Sequence, residues 1–110
     1  MAVAESAHAS ESKEKLLINA RCAGVFKAIA EALHTMPYEN VSAADLAVLA
    51  EKYEKASASL TAKAAAASDT QTAFAKMNDY AQAYQDQINK DHDLRAVMPV
   101  AQSCNKLSRL

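Results

Sequence analysis

A chain of 110 residues has room for one domain with a single modest core. Alanine supplies about a quarter of it, with one glycine, two prolines and no tryptophan, a composition that suits helices and excludes a turn-rich all-β protein. The formal net charge is −1 and no segment concentrates either sign, which argues against electrostatic capture of nucleic acid.

The opening MAVAESAHASESKEK lacks a basic region followed by an apolar block, and its acidic residues argue against a transit peptide. An intracellular, cytoplasmic protein is expected, with residues 1–10 as a flexible lead and 11–110 as one all-α domain. The first helix is expected to start at Ser10 or Ser12, with Glu11 and Glu14 in the first turn where negative charge suits the helix dipole. Its apolar stripe reads Ile18, Cys22, Val25, Ile29, Ala32 and Met36, widened by Phe26 and Leu33. Ala20, Gly24, Ala28 and Ala32 form a ridge of small residues beside it, and Gly24 is the point where a neighbouring helix can come closest. Arg21, Lys27 and Glu31 interrupt the apolar run, so it should not span a membrane.

Met36-Pro37 should stop this helix, because the residue before a proline is pushed out of helical geometry. Ser42 then reads as an N-cap, with Asp45 three residues later and Val41 and Leu46 as a hydrophobic staple. From Leu46 a heptad series runs through Leu49, Tyr53, Ala56, Leu60, Lys63, Ala67, Thr70, Phe74, Met77, Ala81, Tyr84 and Ile88 without a phase break.

One long second helix or two is the question raised by TAKAAAASDTQTAF, residues 61–74. Ser68 with Gln71 makes a capping box and Asp69 is a further cap, but no Gly or Pro ends the preceding helix and the heptad phase survives. The sequence favours one long coiled-coil-like helix over 43–90, about 70 Å in length, with a kink near Ser68 as the alternative. Such a helix would outrun its partner and leave Phe74, Met77, Tyr84 and Ile88 as a docking row, with Tyr80 as an exposed contact beside it. A turn at Ser68 would make the row part of the core of a monomeric bundle. The tail carries helical spacing in Leu94, Val97, Val100 or Ala101, Cys104 and Leu107, with Asp91 or Asp93 as cap and Pro99 either kinking or restarting the helix.

Chemistry-bearing residues are scattered. His8, His34 and His92 fall in three segments, and the Asp91-His92-Asp93 triplet reads as a polar helix start, since neighbours on a helix point apart. Cys22 and Cys104 read as two free thiols; one disulfide is the alternative and requires the last helix to pack beside the middle of the first. No catalytic residue, metal, cofactor or small-molecule substrate is inferred. The helix–turn–longer-helix layout has the outline of small secreted helical hairpins and needle-type secretion subunits, yet the Trp-x-Gly turn of the former and a diagnostic motif of the latter are absent, so no family is assigned.

A bundle of three to four amphipathic helices is therefore expected. Its expected role is that of a non-enzymatic interaction protein, a subunit or adaptor that docks through the heptad seam into an assembly or a self-complex. The alternative is an amphipathic coat on a lipid or granule surface, weakened by the lack of a basic flank.

Overall fold

A computed structural model describes residues 2–35, 41–91 and 93–108. The chain forms α1 (Ala2–Thr35), α2 (Ala43–Ala66), α3 (Thr70–Asp91), a single 3-10 turn (Leu94–Ala96) and α4 (Met98–Ser108). The fold is an all-α bundle measuring 59 × 25 × 23 Å. Among the described residues, no helix is long and apolar enough to cross a membrane. The expected stop at Met36-Pro37 and the histidine of the Asp91-His92-Asp93 triplet lie outside the described residues.

The central element is α1. From Cys22 to Leu33 every residue is buried except Lys27 and Glu31, which are half-buried. A helix apolar on all sides is one surrounded by others, and α2, α3 and α4 all pack against it. Contacts between α1 and α2 pair high numbers with low ones: His34 meets Glu54, Phe26 stacks on Tyr53 with ring centroids 5.6 Å apart, and Ser57 reaches Ala23. These two helices are antiparallel. Against α3 the numbers rise together, from Gly24 beside Met77 and Ala81 to Ala32 beside Ile88, so α1 and α3 run parallel.

The small ridge is where α3 seats. A Cβ added to Gly24 would lie 2.6 Å from the Tyr80 Cβ, 2.8 Å from the Ala81 nitrogen and 2.9 Å from the Met77 oxygen. Two of those neighbours are backbone, so no side-chain rotation could relieve the contact. Phe26, Ile29, Leu60, Ile88 and Val97 are the bulk of the main core, and a smaller cluster of Leu16, Ala20, Ala64 and Ala73 fills the far end.

Three expectations are corrected. First, the continuous helix over 43–90 does not form: α2 ends at Ala66 and α3 begins at Thr70. The break needs no glycine because Ala67 stays right-handed, at φ −86° and ψ −6°. The last turn tightens instead, with the Ala67 N–H donating to Ala64 O and the Ser68 N–H to Ala65 O, each at 3.1 Å. Asp69 caps α3: its Oδ1 accepts from the Thr72 N–H at 2.8 Å and its Oδ2 from the Thr72 hydroxyl at 2.8 Å. Those bonds, the backbone one first, hold the Asp69 carboxyl below its ordinary range. The cap is thus in place above that range and is lost as pH falls through the lowered folded value.

Second, Cys22 and Cys104 are joined in a disulfide, with Cα atoms 5.5 Å apart. The geometric condition for pairing is met because α4 lies along the middle of α1. Closing a loop with a sequence separation of 82 removes about 4–5 kcal/mol of chain entropy from the unfolded state in the loop-closure model. Third, α1 is already helical at Ala2, ahead of the start expected at Ser10 or Ser12, consistent with the good helix formers in AVAESAHASESKEK.

The remaining caps follow the sequence. The Ser42 hydroxyl accepts from the Asp45 N–H at 3.1 Å, Asp93 caps the 3-10 turn through the Arg95 N–H at 2.9 Å, and Pro99 sits in the first turn of α4, where its missing N–H is not needed.

Two measurements check this packing. Ser42→Ala should cost about 0.5–2 kcal/mol in chemical denaturation; an unchanged midpoint would show that the cap contributes nothing. Gly24→Ala gains about 1 kcal/mol of helix propensity and incurs about 1–3 kcal/mol of overpacking against α3, so a lowered thermal midpoint is expected. A raised midpoint would mean that α1 and α3 are not in close contact.

Candidate functional site

A hollow of about 500 Å³ lies between α2 and α3 on the side where Lys27 emerges from α1. It exists because this stretch of α2 is made of small residues. Ala58, Ala62 and Ala65 leave room that leucines would have filled, and Phe74 and Met77 form the opposite wall. Ser57 and Thr61 lie in its floor, but their hydroxyls are already used. Ser57 Oγ donates to Ala23 O at 2.7 Å and Thr61 Oγ1 to Ser57 O at 2.8 Å. No buried side-chain nitrogen or oxygen among the described residues lacks a hydrogen-bond partner.

The polar rim is held in the same way. Lys27 Nζ donates to Asn78 Oδ1 at 2.9 Å, and Glu54 Oε1 lies 3.0 Å from His34 Nε2, a pair with both members exposed to water. Such an exposed pair contributes little to stability. Among the described residues, Lys27 and Glu54 are the ionisable side chains that line the hollow. Its surfaces are therefore suited to apolar contact rather than to proton transfer or nucleophilic attack.

The five residues expected to form a docking row separate into two kinds. Phe74 is 50 % exposed and stands at the lip of the groove. Met77 and Ile88 are core residues, because the turn at Asp69 folds their side of α3 onto α1. Tyr80 is half-buried against the smaller cluster and over Gly24. Tyr84 is half-buried against the main core, where burial pushes its phenol pKa up, partly opposed by the nearby Arg21 cation. Only Phe74 is openly presented.

Sequence reasoning missed the α2 wall of the groove. Ala58, Ala62 and Ala65 lie off the heptad stripe, and nothing in their side chains marks them. The readable signal was indirect, namely a run of alanines opposite a large aromatic on the following helix. Elsewhere Ile18, Val41, Val48 and Leu49 are exposed apolar residues, and among the described residues no group of three or more His, Cys, Asp or Glu could hold a metal ion.

Comparison with protein-family models, with curated proteins and with solved structures finds no match to this chain.

The two walls of the groove respond differently to charge. Phe74→Asp should cost under about 1 kcal/mol, as at other exposed sites. Met77→Asp buries an unpaired carboxylate and should cost more than about 4 kcal/mol, with loss of helicity by circular dichroism. Equal effects from the two substitutions would contradict the assignment of one residue to the surface and the other to the core.

Proposed function

We propose that the chain is a non-enzymatic helical interaction protein, a small subunit or adaptor that holds an apolar segment of a partner protein in the groove between α2 and α3. The observation that carries this reading is the groove itself, with about 500 Å³ of open, mainly apolar space beside a phenylalanine left half exposed. Phe74 and the alanines of α2 form one contiguous apolar surface rimmed by Lys27 and Glu54, and an apolar surface with a polar rim is the arrangement found at protein contacts.

The groove has the form that receives a helix. Its alanine wall lets a partner's backbone come close, and Phe74 offers an anchor for side chains spaced three and four apart. Lys27 and Glu54, opposite in charge on the rim, favour one orientation of the incoming segment more than they add affinity. Most of the heptad seam is not available for docking in this reading, since Met77 and Ile88 are core residues and Tyr84 is half-buried, which leaves Phe74 as the bulky α3 member presented. As to setting, the expectation of a cytoplasmic protein stands against a buried disulfide, a linkage that persists in oxidising surroundings. The docking proposed here requires neither compartment.

A photoreactive phenylalanine at Ala58 tests the reading in native cells, with a matched probe at Gln102 on exposed α4 as control. One discrete protein adduct is expected at position 58, absent at 102 and lost when Phe74→Asp is added to a chain that keeps its helicity. Adducts that do not depend on Phe74 would overturn the groove as the docking site. Light scattering on the purified chain identifies a second copy as the occupant if the mass is doubled and Phe74→Asp halves it. Clear flotation with liposomes at physiological salt would instead favour a lipid-surface coat.

A further inference from the structure

We infer that the Cys22–Cys104 disulfide is a releasable latch: oxidised, it holds α4 on α1, and its reduction by a dithiol frees α4 while α1, α2 and α3 stay packed. The inference is independent of the groove, which lies away from α4.

The argument begins with how little else holds α4. The helix has 11 residues, shorter than helices that persist alone in water. Among its described residues the fully buried positions are Val97, just before its first residue, Ala101 and Cys104, with Met98 and Val100 half-buried against the main core. The fully buried positions carry one branched side chain, one methyl and one sulfur. They are spaced by four and three, and Cys22, Val25 and Ile29 on α1 are spaced by three and four, so two short apolar strips face each other with the disulfide at one end. Such a strip is small against the conformational freedom that α4 gives up on docking.

Val97, Ala101 and Cys104 share the main core with α1, α2 and α3, but much of the bundle is built without α4. The far cluster of Leu16, Ala20, Ala64 and Ala73 contains no α4 residue. The close seat of α3 on Gly24 and the bond from Ser57 to Ala23 O are also made entirely within α1, α2 and α3. Opening at α4 is therefore a local event of the kind that small, peripheral units undergo.

The sulfurs are shielded while α4 is docked, with Cys22 at 3 % and Cys104 at 0 % exposure. A cleft of about 170 Å³ lined by Leu17, Ile18, Arg21, Cys22 and Tyr80 gives one approach, and the Arg21 cation there favours an incoming thiolate. The external thiolate attacks the Cys22 sulfur to form a mixed disulfide, and Cys104 leaves as a thiolate and takes a proton. The second thiol of the reductant then attacks its own mixed-disulfide sulfur, releasing Cys22 as a thiol and a cyclic oxidised dithiol. Two electrons and two protons pass from the dithiol to the protein. What α4 leaves uncovered is the Val25 and Ile29 strip of α1.

Hydrogen exchange by mass spectrometry on the full chain, with and without dithiothreitol, tests the latch, and a Cys22→Ala/Cys104→Ala variant repeats the reduced arm without reductant. On reduction, amides of 98–108 should exchange faster by about a hundredfold or more while α2 and α3 keep their protection, and binding of an apolar dye should rise. The inference fails if α4 stays protected after the thiols are shown to be free. It fails equally if protection is lost along the whole chain, or if the bond resists the dithiol under native conditions.

Discussion

Every other contact in this bundle depends on α1 being buried on all sides. A helix in a small protein usually keeps one face in water, but between Cys22 and Leu33 this one has no fully exposed residue. Burying it takes three neighbours, and the chain supplies them by turning twice and then returning through α4. The neighbours fit because the residues facing them are small. Gly24 admits α3 to backbone distance, Ala23 admits the Ser57 hydroxyl, and Cys22 admits α4 by bonding to it.

The class of the fold was legible in the sequence, as was the place of closest approach. Alanine content and the 3.6-residue spacing gave helices, and the single glycine within a ridge of alanines marked the seat of α3. The expected three to four helices are found, but the break between α2 and α3 was not legible, for a specific reason. Helix ends are read from residues that adopt left-handed geometry or lack an N–H, and the end at Ala67 uses neither. It closes with right-handed alanine and serine, so the signals that matter are all on the far side, in Asp69 and Thr72. The unbroken heptad phase then has a narrower meaning. Ala56, Leu60, Met77, Ala81 and Ile88 of the series are buried while Leu49, Lys63, Thr70 and Phe74 are exposed, so the series follows the inward faces of α2 and α3 only in part.

The groove and the disulfide were hidden for different reasons. The groove is made by what alanine lacks, and an absent side chain gives no pattern along a sequence. The pairing of Cys22 with Cys104 depends on two helices from opposite ends of the chain lying together. No local spacing encodes that, and cysteine usage reports on the surroundings of the protein rather than on its topology. Of the five residues read as a docking row, Phe74 kept its exposure because it lies at the start of α3, where α2 offers only small side chains across from it.

The bond from Ser57 to the Ala23 carbonyl has a consequence for sliding. Two helices faced with alanine meet along nearly smooth cylinders, and shifting one by a turn, about 5.4 Å, replaces methyl contacts with equivalent methyl contacts. Bulky cores resist such a shift because their knobs fit only one set of holes. Where the facing surfaces are alanines there are few such teeth, and polar or singular points supply the vernier. Ser57 provides one on the α2 side, reaching a carbonyl whose distance along α1 is fixed, and the missing side chain of Gly24 provides another on the α3 side. Two atoms of oxygen and one absent carbon thus join the Phe26–Tyr53 contact in setting the longitudinal alignment of three helices.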